Sequence, residues 1–221
     1  MTAALKTTVL ISGSGSNLQA LIDAKLSGRL NIDIGHVISN VADAKGLQRA
    51  ERAEIPTSVL EHGAFANRAA FDRALALLIA AGEPQLVVLA GFMRIIGPAV
   101  LEPFRGRMIN LHPSLLPLYR GTNTYQRAID AGDKRHGASI HFVTEELDGG
   151  PVIAQVEIPI FEGDDADMLA NRLGPMEHRL LVATLELFST RRVECIDGGV
   201  SVDGEKRAEP LQLQTDGHLE A

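Results

Sequence analysis

Asn110 and His112 stand two residues apart in Met108-Ile109-Asn110-Leu111-His112-Pro113-Ser114-Leu115-Leu116-Pro117. At a strand end, residues i and i+2 face the same way, so a carboxamide and an imidazole are presented together. A carboxamide donates to a developing oxyanion, and an imidazole gives or takes a proton near neutral pH. Pro113 and Pro117 stiffen the loop that follows and stop the strand from continuing. Downstream, Asp148 opens the turn Asp148-Gly149-Gly150 between two expected strands. A carboxylate beside an imidazole favours the charged ring and fixes its tautomer. Each part also has an ordinary reading: a strand-end histidine as a structural hydrogen bonder, and Asp-Gly-Gly as a plain turn. From these residues alone both readings stay open.

Two other segments have composition suited to a ligand. Ser12-Gly13-Ser14-Gly15-Ser16-Asn17 falls between an apolar strand and a helix. Unpaired N–H groups at a helix start hold an anion, and glycines allow the tight turn. Leu18 stands where a dinucleotide fingerprint needs its third glycine, and no Gly-Lys-Ser/Thr follows, so one phosphate fits better than a dinucleotide. The alternative is a simple connection with Ser16 as N-cap. Gly91-Phe92-Met93-Arg94-Ile95-Ile96 follows the apolar run Leu86–Ala90 and offers apolar walls around one guanidinium. That suits a flat anionic ligand, or else ordinary packing with a surface arginine.

Among the remaining histidines, His36, His62, His136 and His218 lack partners at useful spacing and read as surface or structural. His141 lies near the Asp148 turn and can line a pocket, while His178 beside Glu177 reads as a helix-face residue or a ligand contact. There is no H-E-x-x-H and no C-x-x-C, and no paired acidic cluster suggests magnesium, so no metal is expected.

The elements that must position these residues alternate. Strands are predicted at Thr7–Ile11, Ile32–Ser39, Thr57–Leu60, Leu86–Ala90 and Arg107–Leu111. Helices are predicted at Asn17–Lys25, Lys45–Ala53 and Asn67–Ala81, the last with Ala70, Phe71, Ala74, Leu77 and Leu78 as its buried stripe. Alternation of this kind indicates a parallel sheet with right-handed crossovers. After Leu111 the pattern changes to a long loop over His112–Thr124 and a short helix around Tyr125–Ala131. Strands at Ala138–Thr144 and Val152–Pro159 and a helix over Asp164–Phe188 follow. The tail from Glu194 reads as turn-rich, with a hairpin around Gly198-Gly199 and a frayed last dozen residues. The expected fold is α/β: an open, mostly parallel twisted sheet with helices on both faces and antiparallel strands toward the C-terminal part. The expected domain is one unit over 1–221, with a core at about 7–190 and a tail at 194–221.

Composition narrows the function classes. The 221 residues include 28 acidic and 21 basic side chains, a net charge of -7, which speaks against a general polyanion binder and so against a nucleic-acid partner. A single cysteine excludes an internal disulfide framework. No apolar run approaches the ~20 residues of a membrane span, and no basic–apolar–small leader opens the chain, so a cytoplasmic protein is expected. No sustained heptad argues for a particular assembly, which leaves monomer or homodimer open.

Taken together, the segments resemble the phosphoribosylglycinamide formyltransferase family, folate-dependent enzymes of purine biosynthesis. The likeness runs from about Thr8 to about Ser189 through four stretches: Ile11–Ala20, Ala90–Ile95, Asn110–Pro117, and His141-Phe142-Val143 leading to Leu147–Ile153. The resemblance implies transfer of the formyl group of 10-formyltetrahydrofolate, a co-substrate, to the amine of glycinamide ribonucleotide, with no metal. It implies Asn110, His112 and Asp148 as catalytic residues. It implies Gly15, Ser16, Asn17, Gly174, Pro175, Met176 and Glu177 at the nucleotide, with Glu177 on the ribose. Folate contacts are implied for Arg68, Met93, Arg94, Ile95, Ile96, Asn110 and His141, and for Thr144, Glu145, Glu146, Leu147 and Asp148 around the pterin. Two enzymes and one binder compete with this reading. Formyltetrahydrofolate deformylase puts water in place of the amine, but usually carries an added N-terminal regulatory domain. Methionyl-tRNA formyltransferase needs a basic C-terminal module. A non-catalytic folate- or nucleotide-binding protein would have little use for the catalytic trio.

Overall fold

The computed structural model describes residues 3–220, so Met1, Thr2 and Ala221 of the expected domain lie outside the described residues. The chain divides between Asn110 and Leu111 into two compact units.

The first unit is a parallel sheet built from β1 (Leu5–Ile11), β2 (Ile32–Ser39), β3 (Thr57–Val59), β4 (Leu86–Leu89) and β5 (Met108–His112), in the order β5-β4-β1-β2-β3. Strand β4 is continuously apolar because both faces are covered, and Val9, Leu10 and Ile11 of β1 are fully buried along with Val87 and Val88 of β4. The helices are α1 (Ser16–Leu26), α2 (Lys45–Arg52), α3 (Arg68–Ala81) and the short α4 (Pro98–Leu101). Asn67 caps α3, its carboxamide oxygen accepting the Ala70 N–H at 2.9 Å. The stripe that α3 buries is Phe71, Asp72, Leu75 and Ile79, and Leu77 is 73% exposed. The expected stripe was therefore rotated, because an alanine-rich helix offers several apolar faces and the one carrying Phe71 and Ile79 buries more area. The turn α4 was not anticipated, being four residues long and led by Pro98.

The second unit starts at Leu111, within β5, and continues with the loop after that strand and α5 (Thr124–Asp130), then the antiparallel pair β6 (Arg135–Phe142) and β7 (Val152–Pro159), and the 25-residue α6 (Ala166–Thr190). Strand β6 starts earlier than predicted because Arg135, His136 and Gly137 pair with Pro159, Ile158 and Glu157, and Arg135 meets Glu157 at 2.9 Å. Five short strands complete the unit: β8 (Val193–Ile196), β9 (Gly199–Val202), β10 (Glu205–Arg207), β11 (Leu211–Leu213) and β12 (Leu219–Glu220). Strands β8, β9 and β10 form a small antiparallel sheet, and the hairpin expected around Gly198-Gly199 turns at Asp197-Gly198. Among the described residues, 210–220 are not frayed. Leu211 and Gln212 pair in parallel with Ala154 and Gln155 of β7, Leu211 is buried, and β12 folds back on β11.

Candidate active site

His112 ends β5 and is buried at 5% exposure. Its Nδ1 lies 3.5 Å from Asp148 Oδ2, and its Nε2 lies 3.0 Å from the Tyr119 carbonyl oxygen. Both ring nitrogens thus face acceptors, an arrangement that a ring carrying both protons satisfies. Asp148 is shared. Its Oδ2 accepts the Gly121 N–H at 2.8 Å, and its Oδ1 lies 3.7 Å from His141 Nε2. His141 Nδ1 is 2.9 Å from the Phe142 carbonyl, which fixes the proton there. Burial holds His141 below the ordinary imidazole value, against the opposing pull of the Phe142 carbonyl and Asp148. Two histidines therefore flank one carboxylate.

The local sequence explains this placement. Asp148 has a φ of +47°, a left-handed conformation that a short polar side chain tolerates. At Gly150 a Cβ would lie 1.8 Å from the Phe142 oxygen, so no other residue fits without moving the backbone. On the His112 side, the proline-bearing loop is pinned by β6 and β7. Ser139 Oγ donates to the Ser114 carbonyl at 2.7 Å and accepts the Leu116 N–H at 3.0 Å. Gln155 Nε2 donates to the Leu116 carbonyl at 3.0 Å and to Ser139 Oγ at 2.9 Å. Arg120 pairs with Glu146, tying that loop to the Thr144–Asp148 segment. Asn110 precedes His112 by two residues and pairs with Leu89 of β4.

The Ser12–Asn17 turn lines a cavity of about 190 Å³ together with Ala90, Gly91 and Met93. That is below the ~300–1,000 Å³ of a drug-sized site, and suits one small group of a larger ligand. The N-cap is Gly15 and not Ser16, with φ +68° and no side-chain cap, because a left-handed residue is needed where the turn meets α1. A Cβ on Gly15 would lie 2.4 Å from Gly46 Cα, so α2 packs directly against the turn. Ser12 joins the turn to the Gly91–Ile96 segment: its Oγ donates to Asn40 Oδ1 at 2.5 Å and accepts the Met93 N–H at 2.7 Å. Asn17 Oδ1 is buried without a hydrogen-bond partner.

Beside it, Met93 and Ile95 are exposed by 75% and 56%, while Ile96 is buried. Arg94 stacks over the Phe71 ring at 5.0 Å, and Arg68 Nη2 donates to the Ile95 carbonyl at 3.1 Å. The first unit therefore brings Arg68, Met93, Arg94, Ile95 and Ile96 together. In the second unit, Gly174, Pro175, Met176 and Glu177 lie within α6, with Pro175 inside the helix. Tyr125 donates its hydroxyl to Glu177 Oε1 at 3.3 Å, and burial pushes the Glu177 carboxyl up. Neither Tyr125 nor the Tyr119 and Gly121 backbone contacts had been foreseen. Tyr125 follows Glu177 by helical placement only once α5 and α6 are known, and backbone partners leave no mark in residue type. Among the described residues, no group of three histidine, cysteine or acidic side chains is placed to hold a metal. Nor, among the described residues, is any helix long and apolar enough to cross a membrane.

The formyl transferase family, a class of group-transfer enzymes, matches residues 5–185. Phosphoribosylglycinamide formyltransferase of Escherichia coli is 46% identical over 198 residues, covering 90% of this chain and 93% of that protein. The structure of the enzyme of that name from Coxiella burnetii superposes with a TM-score of 0.88 at 44% identity, over 93% of this chain and 96% of that one. A formyltetrahydrofolate deformylase from Pseudomonas syringae is more distant, with 27% identity and a TM-score of 0.83 over 90% of this chain and 66% of that one. The chain belongs to the formyl transferase family, in its phosphoribosylglycinamide formyltransferase branch.

Proposed function

We propose that the chain moves the formyl group of 10-formyltetrahydrofolate to the amine of glycinamide ribonucleotide, giving formylglycinamide ribonucleotide and tetrahydrofolate in de novo purine (IMP) biosynthesis. The amine lone pair attacks the formyl carbon, forming the new C–N bond and placing the carbonyl electron pair on oxygen. Asn110 and protonated His112 donate to that oxyanion. Collapse restores the carbonyl and breaks the bond to the folate nitrogen. The His112 imidazolium gives its Nε2 proton to that leaving nitrogen and then takes one from the former amine, so atoms and charge balance and the ring ends as it began. In doing so Nε2 exchanges the Tyr119 carbonyl for the reacting groups, while Asp148 keeps hold of Nδ1. The observation that carries this reading is the buried His112–Asp148 pair, 3.5 Å apart.

The co-substrate's pterin and the nucleotide are assigned by resemblance. Met93 and Ile95 are apolar side chains left uncovered, as a wall for a flat ring would be, with Arg68, Arg94 and Ile96 around them. His141 and Thr144–Asp148 face the pterin. Gly15, Ser16 and Asn17 take the phosphate on backbone amides, and Glu177 takes the ribose beside Gly174, Pro175 and Met176. Mass spectrometry of the product tests the reaction: the formyl group is expected on the glycinamide nitrogen. Free formate as the product would favour the deformylase reaction instead.

A further inference from the structure

We infer that Arg49, which no part of the assigned site includes, is a positioning residue that strengthens the phosphate-binding turn from behind. The inference rests on the reading of Gly15–Asn17 as the phosphate subsite. Arg49 sits on α2, half-buried, and does not line the cavity. Its Nε donates to the Ser14 carbonyl at 2.9 Å, and its Nη1 donates to Gln19 Oε1 at 3.1 Å. Among the described residues no carboxylate pairs with it, so its positive charge is spent on neutral acceptors at the turn.

The consequence follows from the peptide unit itself. The Ser14 carbonyl and the Gly15 N–H belong to one amide, so a cation on the oxygen draws electron density away from the nitrogen. The N–H becomes a better donor, the cooperative effect of chained hydrogen bonds. The neighbouring amides are arranged in the same sense. The Gly13 carbonyl accepts the Gly46 N–H at 3.0 Å, polarising the Ser14 amide, and the Gly15 carbonyl accepts the Gln19 N–H at 2.9 Å, polarising the Ser16 amide. Three successive carbonyls are thereby engaged within the chain, turned to partners and away from an anion. Only the middle one meets a formal charge. In a protein of net charge -7, an unneutralised guanidinium at this point also offsets the repulsion an incoming phosphate meets.

The test compares glycinamide ribonucleotide with its phosphate-free riboside as formyl acceptors, in the parent enzyme and in Arg49→Gln, Arg49→Met and Arg49→Lys. Arg49→Gln and Arg49→Met should raise KM for the nucleotide roughly five- to tenfold, with kcat and the folate KM within about twofold. The riboside should be used equally well by parent and variants. Arg49→Lys should recover part of the loss, and the salt dependence of kcat/KM should be shallower in Arg49→Gln than in the parent. If the parent prefers the nucleotide but Arg49→Gln keeps that preference undiminished, Arg49 has no such role and the phosphate subsite stands. An equal loss for nucleotide and riboside also overturns the proposal, making Arg49 a plain structural strap. If the parent shows no preference for the phosphate, the subsite reading itself fails.

Discussion

Asp148 offers one carboxylate to two histidines, and their surroundings separate their roles. His141 donates from Nδ1 to a backbone carbonyl, and burial disfavours a second proton on it. His112 faces an acceptor at each nitrogen. In the reaction we propose, proton transfer is therefore assigned to His112, with Asp148 acting through it. Asp148→Asn preserves shape but removes the charge and offers a donor where an acceptor is needed. Turnover should fall by at least about 10²-fold while the KM values of both substrates change little. Steady-state kinetics at saturating co-substrate reads this directly, and equal turnover in variant and parent contradicts the role. The approach of Asp148 to His112 was legible in the sequence because a strand end and a glycine turn are short-range features. The Tyr119 carbonyl and the Gly121 N–H were not, since any residue type supplies them and only the path of the loop selects which.

Among the elements, the contact of α2 with the Ser12–Asn17 turn makes a sharp requirement. Gly15 combines a φ of +68° with a backbone neighbour 2.4 Å from where a Cβ would stand. Gly15→Ala should therefore destabilise the fold by about 1–3 kcal/mol, through strain and forced displacement of α2. It should also weaken binding of the nucleotide more than that of the folate. Urea unfolding together with separate KM measurements checks both; an unchanged midpoint contradicts the close packing of the turn on α2. Element limits were legible where a β-branched run is bounded by turn-forming residues, as in β2 between Asn31 and Asn40 and in β7 between Pro151 and Pro159. They were less so where the partner is remote. Strand β11 joins β7 through a ladder at Leu211 and Gln212 that no local pattern announces. The face of α3 was misjudged because its alanines give no strong preference among faces.

For the whole molecule, buried titratable groups set the response to acid. His36, His136, His141 and His178 are all held below their ordinary value of 6.5, chiefly by burial. The unfolded chain binds protons there more tightly than the fold, so their contribution is present above pH 6.5 and lost as pH falls below it. Asp164, held down to about 2 by the two-pronged Arg172 contact, contributes above its unfolded value of 3.8 and loses that contribution as pH falls toward 2. Glu177 runs the other way. Its carboxyl is raised above 4.5 by burial, so its contribution is present at low pH and lost as pH rises through the folded value. Four groups outweigh one near neutrality. The urea midpoint should rise between about pH 5 and about pH 7, and Glu177→Gln should steepen that rise. A flat or falling midpoint contradicts this account of the buried histidines.

The central claim is that the carbon leaves the folate only for an amine, with Asp148 holding the histidine that moves the proton. The most direct measurement is tetrahydrofolate release from 10-formyltetrahydrofolate, followed with and without glycinamide ribonucleotide, in the parent and in Asp148→Asn. Release that depends on the amine and nearly disappears in Asp148→Asn is the predicted result. Release that proceeds equally without the amine, or no release with it, contradicts the account.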